Sequence, residues 1–298
     1  MTSDAKMMAQ MVGGAGFIAA LDQSGGSTPK ALAAYGLGED AWSSDEEMFG
    51  LIHEMRSRIV TSPSFSGQKV LGAILFEKTM NGQAGGKPVP QALWDRGVVP
   101  FLKVDKGLED EANGVQMMKP MPDLDAMCQD AKAKGIYGTK MRSVIHDANA
   151  DGIAANVDQQ FVFARQIIAN GLVPIVEPEV NLKSASRAEC DQLVLDNILR
   201  NLDALPDGER VMLKLSLPVE DDLYAPLVAH PRVIRVVALS GGYERDEANA
   251  KLSKNRGMIA SFSRALLQDL RADMDDQQFD AALGNAIDSI YAASVCNG

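Results

Sequence analysis

Lys214 sits in the apolar run VMLKLSL (211–217), where a charged amine needs a reason, because burying an unpaired charge is expensive. It is not alone. Lys103 and Asp105 interrupt VVPFLKVD (98–105), Lys140 and Arg142 interrupt YGTKMRS (137–143), and Glu177 and Glu179 interrupt LVPIVEPEV (172–180). Asp22 stands next to last in GFIAALDQ (16–23). A lysine held in a desolvated pocket near other cations has a lowered pKa and is partly the free base at neutral pH. A free amine attacks a ketone to give an iminium, an electron sink for breaking the adjacent carbon–carbon bond. Dehydration of the carbinolamine requires a general acid, and Glu177 with Glu179 reads as a carboxylate pair able to share protons.

Other chemistries find less support. His53, His146 and His230 lie far apart, and none has metal-ligand spacing with a partner, so a histidine metal site is not expected. No G-x-S-x-G nucleophile elbow occurs. Anion binding does have a signature. The small residues of ALSGG (238–242), with Ser240, Gly241 and Gly242, let backbone amides approach a phosphate. SFSR (261–264) brings Ser263 and Arg264 beside them, and DQSGGS (22–27) offers Ser24 and Ser27 as a second anion site, helped by Lys103.

These residues fall on short apolar segments that alternate with amphipathic ones. Besides those quoted, VLGAILFE (70–77), VIRVVALSG (233–241) and MIASFS (258–263) read as strands, which makes eight. NVDQQFVFARQIIANG (156–171) and the segment 187–205 read as helices, and Gly171 is placed to stop the first of these. MNGQAGGKPVP (80–90) reads as a surface loop. Strands alternating with helices imply parallel pairing. Eight such units predict an α/β chain folded as a (β/α)8 TIM barrel, a single domain over residues 1–298. An open doubly wound sheet is the runner-up, but no GxGxxG turn follows an early strand.

Strand parity sorts the polar residues. Lys214 shares a face with Met212 and Ser216, Lys103 with Phe101 and Asp105, Lys140 with Gly138 and Arg142, and Glu177 with Ile175 and Glu179. Asp22 falls with Ile18 and Ala20, and Ser240 with Val236 and Ala238. Most lie towards the carboxyl ends of their strands, the face on which such barrels build active sites. Each has a plain alternative: a lone strand lysine is more often a snorkelling edge residue, VEPE a solvated strand end, and LSGG a turn. Their concurrence on one face, not any single residue, points to catalysis.

The formal charge of −11 argues against nucleic acid or an anionic membrane surface as a partner. Cys128, Cys190 and Cys296 are widely separated with no CxxC pair, which fits a reducing cytoplasm. The first residues lack a signal-peptide layout, and no run has the length of a membrane helix.

With these segments in order, the chain resembles the class I fructose-1,6-bisphosphate aldolases, particularly the shorter bacterial form. The likeness rests on GFIAALDQSGGSTPKAL, GAILFEKTM, GVVPFLKVDKG, GTKMRS, GLVPIVEPEV, VMLKLSLP, LSGGY and ASFSRAL, running from Gly16 onward. It implies that Lys214 is the Schiff-base lysine and that Glu177, with Glu179 beside it, moves protons during iminium formation and hydrolysis. Asp22 then takes the proton of the fourth-carbon hydroxyl, and Lys140 stands beside the scissile centre. Ser240, Gly241, Gly242, Ser263 and Arg264 match the one-phosphate site; Ser24, Ser27 and Lys103, with Arg142 nearby, match the six-phosphate site. The implied partners are sugar phosphates in glycolysis and gluconeogenesis. No cofactor or metal is implied, and homo-oligomers are common among such barrels. Gln23 stands where the animal enzymes carry glutamate, Ala31 where they carry arginine, and Ser263 where they carry glycine. The tyrosine-ended tail of the animal enzymes has no counterpart in SIYAASVCNG (289–298). Another Schiff-base barrel, such as a transaldolase, and a non-catalytic sugar-phosphate-binding protein are the alternatives.

Overall fold

The structure, a computed structural model, describes residues 2–296. Strands β1 (Phe17–Leu21), β2 (Val70–Leu75), β3 (Val99–Lys103) and β4 (Gly138–Ile145) are followed by β5 (Val173–Val180), β6 (Val211–Ser216), β7 (Val233–Leu239) and β8 (Ile259–Ala260). They pair in chain order and in parallel around one sheet. The sheet returns on itself where the Ala20 N–H donates to the Phe262 carbonyl at 3.1 Å. The fold is a (β/α)8 barrel, as the alternation of segments predicts.

The barrel's interior is the set that parity selects. Ile18, Ile74, Phe101, Ile175, Met212, Val237 and Ile259 form one buried cluster inside the strands. Their sequence neighbours, such as Leu102, Met141, Val176, Leu213 and Leu215, belong to the larger core between strands and helices. Phe101 needs space in this packed interior, and two glycines supply it. A Cβ on Gly72 would lie 3.0 Å from the Phe101 ring, and one on Gly138 would lie 2.8 Å from it and 2.3 Å from the Val173 carbonyl.

The helices that bear on the site are α1 (Ser3–Gly13), α2 (Asp45–Thr61), α3 (Ala150–Ala169) and α4 (Arg187–Asp203). Helix α1 carries Met7 and Met11 into the interior cluster and plugs the barrel at the amino ends of the strands. Gln10 Nε2 pins it by donating to the Leu71 and Gly97 carbonyls at 2.8 and 2.6 Å. Arg235 caps its exit, donating to the Met11 and Val12 carbonyls at 3.0 and 2.8 Å. One end is therefore sealed by apolar packing, and polar side chains collect at the other.

Two expectations need correction. On β7, Val237 faces the interior, whereas Val236 and Ala238 pack outward, so the face assigned from parity is inverted. Val236 and Ala238 do share a face; the register break between Val233 and Val236 adds one residue, so Ile234 and Val237, three apart, both turn inward. The segment 80–90 is also more ordered than a plain loop. Gln83–Ala84 and Lys87–Pro88 form a two-residue antiparallel hairpin around Gly85 and Gly86, both at positive φ, and a helix starts at Val89.

Candidate active site

Above the apolar layer, the next inward residue is polar on four of the strands. Two residues beyond Met212 comes Lys214, beyond Ile175 comes Glu177, beyond Gly138 comes Lys140, and beyond Phe101 comes Lys103. Four residues beyond Ile18 comes Asp22. Lys214, Lys140, Glu177 and Asp22 are all buried, with relative exposures of 4%, 3%, 3% and 8%. Charges removed from water to this degree persist only when paired.

The pairing is continuous. Glu177 Oε1 lies 3.1 Å from Lys214 Nζ and its Oε2 3.0 Å from Lys140 Nζ, so one carboxylate bridges two amines. Lys140 Nζ is also 2.6 Å from Asp22 Oδ2. The chain Lys214–Glu177–Lys140–Asp22 thus crosses the barrel mouth with charges alternating in sign. The nearest cation expected beside Lys214 is present, but a carboxylate stands between the two amines.

A second layer holds Glu177 in place. The Glu177 N–H donates to Gln160 Oε1 at 2.8 Å, and Gln160 Nε2 donates to Ser143 Oγ at 2.6 Å. Ser143 in turn donates to Asn156 Oδ1 at 2.6 Å. Gln160 and Asn156 are fully buried on α3, so the helix fixes β4 and β5 against each other just where the carboxylate projects.

The charges set one another. Burial opposes ionisation of Asp22, but Lys140 and Lys214, a hydrogen bond from Lys140, and Lys103 outweigh it and hold the carboxyl well below the usual carboxylate range. For Glu177, burial pushes up and Asp22 adds to it, while Lys140, Lys214 and Arg142 pull down and prevail. Burial lowers Lys140, yet Asp22, Glu177 and Asp105 raise it above the usual lysine range. Both carboxyls therefore ionise more readily in the fold than in the unfolded chain. Their contribution to stability is complete above about pH 5 and is lost as the pH falls from about 4 through their folded values. Lys140 has the opposite sign: its contribution is present below about pH 10 and is lost as the pH rises through its raised folded value. The thermal midpoint should be flat between about pH 5.5 and 9 and fall on acidification, and Asp22→Asn should flatten part of that acid slope. An acid slope identical in Asp22→Asn and the parent would contradict this electrostatic account.

The remaining sequence-selected residues divide into two groups. At the strand ends opposite β6, Lys103 Nζ lies 2.9 Å from Asp105 Oδ1 and donates to Ser24 Oγ at 3.2 Å. Asp105 Oδ2 accepts from the Arg142 backbone N–H at 3.2 Å, so this buried aspartate, noted for its parity but given no role, ties the Lys103 amine to the β4 backbone that carries Arg142. Arg142 pairs with Glu179 through its Nε. Glu177 and Glu179, read as a proton-sharing pair, therefore serve different cations. The Ser27 hydroxyl is engaged in its own turn, accepting from the Ser24 N–H at 3.0 Å and donating to the Ser24 carbonyl at 2.8 Å.

On the other side, Gly241 and Gly242 have φ of +62° and +128°, a left-handed backbone that glycine accommodates. Arg264 reaches this turn, for a Cβ on Gly242 would lie 3.3 Å from Arg264 Nη2. Ser240 is buried at the end of β7, and Ser263 accepts a short hydrogen bond from Gln23 Nε2. Ser240, Gly241, Gly242, Ser263 and Arg264 thus line the seam where the barrel closes.

Among the described residues, no group of three or more His, Cys, Asp or Glu side chains could hold a metal ion, and no helix is long and apolar enough to cross a membrane. A family model described as fructose-bisphosphate aldolase class-I matches residues 3–217. The chain belongs to that family. The match spans β1 to β6 and includes Asp22, Lys140, Glu177 and Lys214. Among solved structures, a fructose-bisphosphate aldolase from Plasmodium falciparum, crystallised with TRAP and a small-molecule inhibitor, superposes with a TM-score of 0.79. It is 20% identical, covering 99% of this chain and 95% of that one, which extends the shared fold past residue 217. A putative orotidine-monophosphate decarboxylase from Toxoplasma gondii reaches a TM-score of only 0.42 at 12% identity, over 97% of each chain. Class-I aldolases are lyases acting on sugar phosphates, and the polar barrel mouth is where such chemistry has a place.

Proposed function

We propose that this class-I aldolase cleaves fructose 1,6-bisphosphate reversibly to dihydroxyacetone phosphate and glyceraldehyde 3-phosphate, through an iminium on Lys214 and without a metal. The observation that carries the proposal is Glu177 bridging Lys214 and Lys140 at 3.1 and 3.0 Å inside a buried mouth. Glu177 takes a proton from Lys214, the freed Nζ adds to the second-carbon carbonyl, and a second proton passes from that nitrogen to the oxyanion to give the carbinolamine. Glu177 then returns its proton to the carbinolamine hydroxyl, which leaves as water and yields the iminium. Asp22 then removes the fourth-carbon hydroxyl proton, and the bond between the third and fourth carbons breaks. Its electron pair moves to the iminium as an enamine, while the aldehyde leaves. Protonation of the enamine carbon and addition of water regenerate the amine and release the ketone.

Each partner's charge suits its part. Lys140, 2.6 Å from Asp22, keeps that carboxylate ionised and ready to accept a proton. Ser240, Gly241, Gly242, Ser263 and Arg264 would take the phosphate beside the ketone. Ser24, Ser27, Lys103 and Arg142 would take the distal one, with Asp105 and Glu179 holding the two cations in position. Both directions use the same groups, which suits glycolysis and gluconeogenesis in the cytoplasm. The free thiols Cys128 and Cys190, both buried, fit that reducing location.

A coupled assay tests the reaction directly. Dialysis against EDTA should leave the rate of fructose 1,6-bisphosphate cleavage unchanged, because an amine and carboxylates supply every step. A loss of more than about tenfold, restored by a divalent cation, would transfer the electron-sink role to a metal.

A further inference from the structure

Arg56 lies on α2, 1% exposed, yet it belongs to none of the charge pairs of the mouth. Its Nη1 donates to Thr79 Oγ1 at 2.8 Å, and Thr79 is itself 1% exposed in the short helix that follows β2. Its Nη2 donates to the Gln23 carbonyl and to Gln23 Oε1, the latter at 3.2 Å. The Gln23 amide is then oriented, with its Nε2 donating to Ser263 Oγ. One guanidinium therefore ties together the carboxyl ends of β2, β1 and, through Gln23, β8.

That tie falls where the barrel is least secured. Strand β8 has only two residues, and its seam with β1 has the Ala20–Phe262 hydrogen bond of 3.1 Å as its backbone link. Gln23 follows Asp22, and Ser263 precedes Arg264. The relay accordingly fixes the separation between the carboxylate at the scissile centre and the cation at the ketone-side phosphate loop. A side chain whose planar fork makes several directed hydrogen bonds at once suits this task, and lysine would not reproduce it. Burial lowers the guanidinium to about 10, against the charge of Asp22, so it keeps its full set of donors at neutral pH.

We propose that Arg56 is a positioning residue that closes the β1–β8 seam through Gln23 and Ser263 and so sets Asp22 against the phosphate loop. This rests on the aldolase reading above. Bond cleavage requires Asp22 in register with a substrate seated by that loop, whereas capture of dihydroxyacetone phosphate by Lys214 does not require Asp22. Misplacing a catalytic group by about 1 Å costs on the order of 100-fold. Arg56→Met and Gln23→Leu should each lower kcat for fructose 1,6-bisphosphate cleavage about 30-fold and raise KM several-fold. The double variant should lose little more than either single one, because both cut the same relay. Borohydride trapping at saturating dihydroxyacetone phosphate should stay within about threefold of the parent in all three. Gln23→Leu alters only a half-buried side chain and keeps the test alive if Arg56→Met folds poorly. Trapping that persists alongside parental kcat in Gln23→Leu would overturn the proposal alone; additive losses would show two unrelated defects and overturn it as well. Failure of the parent itself to trap would sink the aldolase reading and this proposal together.

Discussion

Lys214→Met is expected to abolish cleavage, lowering kcat by about 10⁴-fold or more, while the protein remains folded. The two halves of this result have separate causes. Activity disappears because no other amine in the mouth is free to replace the lost one: Lys140 is committed to Asp22 and Glu177, and Lys103 to Asp105 and Ser24. The fold survives because Glu177 keeps Lys140 at 3.0 Å when Lys214 is removed, so no buried carboxylate is left unpaired. Methionine also fills the space of the lysine stem without branching. Progress curves from a coupled assay, read beside circular dichroism, check both halves. A Lys214→Met protein within a hundredfold of the parental rate would remove the amine from the mechanism.

Glu177→Gln should be almost as damaging to activity and more damaging to stability. Loss of a positioned proton carrier costs roughly 10²- to 10⁴-fold, and Glu177 is the carboxylate that reaches Lys214. The stability effect follows from which cation loses its partner. Lys140 retains Asp22 at 2.6 Å, but the ion pair of Lys214 disappears, and Lys214 is only 4% exposed. Breaking a buried pair from one side costs about 3–5 kcal/mol. Urea unfolding at neutral pH should show a loss of that size. A Glu177→Gln protein as stable as the parent would show that the Lys214 ion pair adds nothing to the fold.

Much of this site could be read from the chain because barrel strands obey a simple alternation. Lys214, Glu177 and Asp22 each stand an even number of residues beyond an interior apolar residue, Lys140 stands two beyond the inward Gly138, and each turns inward as that count requires. On β7 alternation groups Val236 with Ala238 correctly but does not say which side they face: Val237 is the one that turns inward, and the register break between Val233 and Val236 cannot be seen in the run VIRVVAL. Pairing was also beyond the reach of parity. Alternation places Glu177 and Glu179 on one face but does not say that one turns to two lysines and the other to Arg142. Helix α1 was missed because its apolar residues, Met7 and Met11, seal a barrel end instead of covering a sheet. Arg56 carries a signal in the sequence: it lies four residues after Ile52 and three before Ile59, on the buried face of α2. A cation on that face has to find partners inside.

The central claim is a covalent bond to one particular amine. Treatment with dihydroxyacetone phosphate and borohydride should reduce the iminium to a stable secondary amine, and peptide mapping should place the added mass on Lys214 alone. Mass on Lys140 or Lys103, or no added mass at saturating ligand, would contradict the account.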